Sequence, residues 1–164
     1  MIRNVHEREI AADAEWVREL INSLASSSDR LWPRDQWPAM RLDRPLGVGA
    51  TGGHGPVRYV VEAFTPGRSV TFRFTRPVGF HGTHGFSVTA VGERSSVLRH
   101  ELVMRVSGAA TVTWPLVFRP LHDALIEECL DRAASAAGDP PAVPARRSRW
   151  TRLLRGLLSA RRRR

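Results

Sequence analysis

Residues 56–74 read P-V-R-Y-V-V-E-A-F-T-P-G-R-S-V-T-F-R-F. Two runs rich in β-branched and aromatic residues flank Pro66-Gly67, a pair that turns a chain. In the second run Val70, Phe72 and Phe74 alternate with Thr71, Arg73 and Thr75. Successive side chains of a strand point to opposite faces, so one face is apolar and the other polar. The stretch predicts two antiparallel strands, covered on one side and wet on the other.

The pattern continues downstream. H-G-F-S-V-T-A-V (84–91) and S-V-L-R-H-E-L-V-M-R-V (96–106) read as two more strands around a turn at Gly92, Glu93 and Arg94. Leu98, His100, Leu102, Met104 and Val106 share one face, against Arg99, Glu101 and Arg105. Upstream, residues 46–56 carry five glycines around His54. They lack the lysine of a P-loop and the G-x-G-x-x-G frame, so a bulged strand edge at a cavity mouth is expected rather than a phosphate cradle. Before them, L-W-P-R-D-Q-W-P-A-M (31–40) holds two Trp-Pro pairs. Proline pushes the residue before it to an extended backbone, which predicts an irregular segment acting as a lid or a packing wedge.

Residues 2–10 read as a strand. Asp13 suits the cap of a helix carrying Trp16, Val17, Leu20, Ile21 and Leu24 at helical spacing, ended by Ser26-Ser27-Ser28. A long helix is expected from about 114 to 136. Pro115 fits its first turn, whereas Pro120 must bend it or displace its start. Trp114, Phe118, Leu121, Leu125 and Cys129 form one stripe, with Asp123, Glu127 and Asp131 on the opposite side. Gly138 followed by Asp139-Pro140-Pro141 stops it. The order of strand, helix, irregular segment, antiparallel strands and long helix predicts an α+β domain. Its curved antiparallel sheet wraps around the long C-terminal helix and encloses an internal cavity.

This order, with its particular blocks, resembles the helix-grip fold of the START-like (SRPBCC) superfamily, which includes polyketide cyclase/dehydrase, lipid-transport and birch-pollen-allergen-like proteins. H-E-R-E-I-A-A-D-A-E-W-V-R-E-L-I (6–21) is similar to the strand-then-helix opening, and residues 56–74 to the strand pair around a P-G-R turn. D-R-P-L (43–46), G-G-H-G-P (52–56) and W-P-L-V-F-R-P-L-H-D-A (114–124) resemble blocks of small bacterial members. The resemblance covers about residues 2–137. It implies an apolar internal cavity closed by the long helix, no obligatory cofactor and no invariant catalytic residue. The same fold hosts binders, carriers, cyclases and hydrolases, so it does not choose among them.

Within that frame a small hydrophobic ligand is the expected partner. Trp32, Trp37 and His54 stand near the expected mouth. Tyr59, Phe72 and Phe74 come from the first strand pair, and His84, Phe86, His100 and Leu102 from the second. Phe118 and His122 come from the helix. His84, His100 and His122 are also candidate acid–base groups, because imidazole titrates near neutral pH. The alternative for each is a core histidine bonded to its neighbours. No metal is expected: His81 and His84 are three strand positions apart and face opposite ways, and no Cys-rich or H-E-x-x-H pattern is present. Nor is there a G-x-S-x-G elbow for a serine hydrolase.

The chain carries +9 and no lysine. Residues 1–144 balance sixteen arginines against sixteen acids, and the remaining nine arginines supply the whole excess. The body therefore has no electrostatic reason to seek nucleic acid. Three regions are expected: a ligand-binding domain (1–137), a proline-rich linker (138–145) and a basic amphipathic tail (146–164). In the tail Trp150, Leu153, Leu154, Leu157 and Leu158 make one stripe, with Arg152 and Arg155 away from it. A helix of that kind suits an anionic membrane surface, while a disordered solubilising tail is the plainer alternative. One cysteine, Cys129, and no apolar leader fit a cytoplasmic protein, or one peripheral to the inner membrane face.

Overall fold

The structure, a computed structural model, describes residues 1–161 of the chain and side chains as far as Leu158. Arg162, Arg163 and Arg164, the end of the basic tail, lie outside the described residues.

Strand β1 (Ile2–Ile10) leads into helix α1 (Ala14–Asn22). Asp13 caps that helix by accepting from the Trp16 backbone N–H at 2.8 Å. The helix ends at Asn22 with Ser23 as its cap, earlier than the serine run. Strands β2 (Arg41–Leu42), β3 (Thr51–His54), β4 (Val57–Thr65), β5 (Ser69–Arg76), β6 (Phe80–Gly92) and β7 (Ser95–Val106) follow. All pairings are antiparallel, in the order β1-β7-β6-β5-β4-β3-β2. The glycine-rich run forms β3 and its close approach to β2: a Cβ on Gly52 would overlap the Arg41 carbonyl oxygen. Gly67 turns β4 into β5 with φ near +70°, a conformation that favours glycine.

A helical rod then crosses the sheet. Helix α2 (Ala110–Thr113) runs through a π-helical turn (Trp114–Phe118) into α3 (Arg119–Ala136). Pro115 and Pro120 explain the wide turn, since neither has an N–H to donate and each ring crowds the turn before it. The rod thus begins at Ala110, one turn earlier than the sequence pattern indicates.

The acids of α3 do not face open water. Even-numbered residues of β1 turn toward α3, and Arg8 donates to Asp131 and, at 2.9 Å, to Glu127. His6 Nδ1 and Nε2 lie 2.6 Å from Glu127 and 3.2 Å from Asp123. The polar side of α3 is an ion-pair seam that ties the rod to the edge strand. Its apolar side, with Leu125, Ile126, Cys129 and Leu130 buried, packs into the core.

Residues 139–148 cross back without helix or strand, and helix α4 (Arg149–Arg161) packs on α3. Only one edge of the tail's apolar stripe, Leu154 and Leu158, packs into the body. Thr151 and Leu154 are buried, and Arg155 and Leu158 reach the cavity. At 100° per residue the contacting face is rotated by roughly 80° from the stripe's centre. Arg155 is therefore inward, not solvated: its guanidinium lies 4.6 Å from the Trp37 ring centroid and donates to the Gln36 carbonyl. Among the described residues no helix is long and apolar enough to cross a membrane.

Candidate functional site

Between the rod and the inner face of the sheet lies a cavity of about 340 Å³. β5, β6 and β7 supply its floor with Phe74, His84, His100 and Leu102. The rod supplies Trp114, Phe118, Leu121 and His122, and the 31–40 segment supplies Trp32 and Trp37. His54 closes one side, and Arg155 and Leu158 of α4 stand at the mouth.

Strand register brings the histidines together. His84 is paired with Phe72 on β5 and Leu102 on β7, and His100 with Phe86 and His6. Paired residues share a face, so His84 and His100, two strands' worth of inner face, meet diagonally. His84 Nδ1 lies 3.3 Å from His100 Nε2. The His100 and His122 rings are 5.0 Å apart. His122 Nδ1 lies 3.4 Å from Asp123 Oδ1, and the same oxygen accepts from the Asn4 side-chain amide at 3.0 Å. His54 Nδ1 meets the Tyr59 hydroxyl at 3.2 Å.

Burial sets the charge states. It holds His84 and His100 well below the usual imidazole range, and His54 at about 3, where the Arg58 charge adds to it. Burial also lowers His122, against the pull of Asp123. It pushes the Tyr59 hydroxyl far up. Burial raises Asp123 too, but hydrogen bonds from His122 and His6 outweigh it and keep the carboxylate ionised. The cavity is thus walled by neutral imidazoles. Three of their nitrogens, His84 Nε2, His100 Nδ1 and His122 Nε2, are buried without a hydrogen-bond partner among the described residues.

Of the residues singled out in the sequence, Trp32, Trp37, His54, Phe74, His84, His100, Leu102, Phe118 and His122 line the cavity. Tyr59, Phe72 and Phe86 do not. They form the layer beneath: Phe72 stacks on His84 with centroids 5.2 Å apart, Phe86 meets His100 edge-on at 4.7 Å, and Tyr59 packs against both Phe72 and His84. Phe80, Trp114, Leu121 and Ile126 line it as well. Phe80 has a sequence signal only if β6 is begun four residues earlier, and Trp114 and Leu121 already stood in the helical stripe. Nothing in the sequence pointed to Arg155, whose place depends on how the tail folds back.

One donor set among the described residues has the spacing to hold a metal ion: His6, His122 and Asp123, with ligand atoms within 4.8 Å of one another. Arg119 lies 3.6 Å from Asp123, and Arg8 pairs with Glu127 beside His6. These guanidiniums already balance the carboxylates, so the group works as part of the α3–β1 seam.

No family model and no curated protein matches the chain. Solved structures do. A protein from Thermobifida fusca superposes with a TM-score of 0.65 at 16% identity, over 84% of this chain and 94% of that one. A START superfamily protein from Mycobacterium smegmatis gives 0.57 at 15%, over 83% and 97%. This chain has the START-like helix-grip fold. A Thalictrum flavum norcoclaurine synthase variant, solved with a transition-state analogue, shares that fold at 0.58 and 17% identity, over 83% and 94%. At these identities the likeness concerns the fold alone.

Proposed function

We propose that this helix-grip protein binds, and carries, a small hydrophobic molecule in the cavity under the rod. The observation behind this reading is the cavity itself, of about 340 Å³, walled mainly by aromatic and aliphatic side chains with the residues His54, His84, His100 and His122 among them. That is the usual make-up of a small-molecule site. We extend the reading to the tail: α4 covers the mouth and docks the protein on an anionic membrane. Trp150, Leu153 and Leu157 remain exposed beside Arg149 and Arg152, and basic residues near an anionic surface contribute about 1 kcal/mol each. No nucleic acid, metal or cofactor enters this reading.

Native mass spectrometry of the purified full chain, followed by extraction, tests it. A retained lipid or aromatic compound is expected. Protein that stays empty after incubation with neutral hydrophobic probes overturns it.

A second reading has its own support. His122 lines the cavity, and its Nδ1 lies 3.4 Å from the Asp123 carboxylate, a partner that can orient an imidazole acting as a general base. A cyclase- or aromatase-like activity on a polyketide-type substrate, with His84, His100 and His122 moving protons, would use it. Unchanged turnover in single phenylalanine variants of all three would end this reading.

A further inference from the structure

Scattered apolar side chains on a surface need no explanation, but contiguous ones do. Eleven large apolar residues are exposed among the described residues. Six of them lie on two neighbouring segments: Val112 and Leu116 on the rod, and Trp150, Leu153, Leu157 and Leu158 on α4. Val112 and Leu116 are 60% and 55% exposed and four residues apart in the rod, so they share one edge of it. The Trp150 indole reaches that edge and donates to the Leu116 carbonyl at 2.6 Å. Trp150, Leu153 and Leu157 continue the strip along α4 at helical spacing, and Leu158 belongs both to the strip and to the mouth of the cavity. The β5–β6 turn, which carries exposed Val78, packs against the entry to the rod: the Gly79 carbonyl accepts from the Ser107 N–H at 3.0 Å. The charge around the strip is one-sided. Residues 76–81, 105–119 and 149–158 hold six arginines and no acid. Arg119 is paired with Asp123 and Arg155 is turned toward Trp37, while Arg76, Arg105, Arg149 and Arg152 are exposed.

We infer that the start of the rod and α4 form one docking surface for an anionic bilayer, with Val112 and Leu116 entering its apolar region beside Trp150, Leu153 and Leu157. This inference rests on the membrane reading of α4 above and adds a second element to it. Because the rod also roofs the cavity, a contact shared by both elements seats the cavity's mouth on the bilayer. An apolar strip rimmed by arginines, with a tryptophan at its middle, matches the boundary between anionic headgroups and acyl chains. A second copy of the chain is a poorer occupant. A two-fold contact sets the same patch against itself, and here that opposes arginines to arginines.

The test places a reporter on each part of the surface. Cys129 is buried, so a cysteine added at the surface of the full chain is labelled selectively. Leu116→Cys, Leu153→Cys and Val91→Cys chains carry a nitrobenzoxadiazole fluorophore, which brightens in an apolar medium. Val91 serves as the control, because it lies by the β6–β7 turn, at the far end of those strands from the rod's start. With vesicles of mixed phosphatidylcholine and phosphatidylserine, the labels at 116 and 153 are expected to brighten at least twofold and the label at 91 not at all. Phosphatidylcholine vesicles should change none of them. A silent label at 116 beside a responding one at 153 overturns the inference and leaves the membrane reading standing, since α4 then docks alone. A response at 91 as large as that at 116, or one at 116 that needs no vesicles and grows with protein concentration, also overturns it. Silence at both 116 and 153 sinks the membrane reading, and the inference with it. A label-free check is the double Val112→Ser, Leu116→Ser variant, which keeps the charge and is expected to bind the mixed vesicles at least fivefold more weakly. Unchanged binding counts against the rod's part in the surface.

Discussion

The indole Nε1 of Trp150 donates to the carbonyl oxygen of Leu116 at 2.6 Å. In a regular helix that carbonyl would accept from residue 120, but residue 120 is a proline and has no N–H. Helix α4 thus supplies the donor that the rod's own sequence withholds. The tail is fastened at a defect in the element that roofs the cavity.

Trp150→Phe keeps the ring and removes the donor. A hydrogen bond of this kind contributes about 1 kcal/mol net, and the freed carbonyl can turn to water because Leu116 is exposed. The expected result is a nearly unchanged melting temperature with faster tryptic cleavage at Arg146 or Arg147, since α4 detaches without unfolding the body. Cleavage no faster than in the unmodified chain would show that the bond does not hold α4.

Acid should destabilise the protein well before its carboxylates titrate. His54 is held at about 3 and His84 well below 6.5, both by burial, so in this window the unfolded chain binds more protons than the folded one. Stability is full above about pH 6.5 and falls as pH drops below it, continuing down toward the folded-state values. Each such histidine removes on the order of 2 kcal/mol between pH 7 and pH 5. Urea midpoints at pH 8 and pH 5 check this, and His84→Phe should shrink the difference. A midpoint independent of pH over that range would refute it.

The strands, α1 and its Asp13 cap were legible because period-two and period-3.6 patterns report burial directly. The cavity histidines were legible for the same reason, each being a polar residue on an apolar face. Asp123, Glu127 and Asp131 were legible as the polar side of α3, but their partners were not. Three acids at helical spacing signal solvent, but their partners on β1 stand more than a hundred residues earlier in the chain. The facing side of α4 was hidden by a related effect. The stripe centred near Trp150 is the more apolar, yet the groove takes the face where Arg155 finds the Trp37 ring and the Thr151 hydroxyl donates to the Pro120 carbonyl.

Glu128 couples that fastening to the mouth. It accepts from Trp37 Nε1 at 2.9 Å and from two nitrogens of Arg147 at 2.5 and 2.7 Å. Both charged side chains are largely buried, so a lost partner matters more than at an open surface. Glu128→Gln is expected to cost about 1–2 kcal/mol in urea denaturation. It should also speed dissociation of N-phenyl-1-naphthylamine from the loaded protein several-fold. Lost stability with an unchanged dissociation rate would mean that the clamp serves the fold and not the mouth.

The membrane reading makes the sharpest demand on the outer face of α4. Leu153 and Leu157 are 54% and 58% exposed, so replacing both with glutamate removes little packing from the body. A double Leu153→Glu, Leu157→Glu variant should melt with the unmodified chain. On a bilayer the same change removes two side chains from the apolar region and sets two negative charges against anionic headgroups. The unmodified protein is expected to sediment with vesicles of mixed phosphatidylcholine and phosphatidylserine and not with phosphatidylcholine alone, and the variant with neither. If the variant sediments as well as the unmodified chain, the attraction is only that of scattered arginines. α4 would then be a cover for the cavity and nothing more.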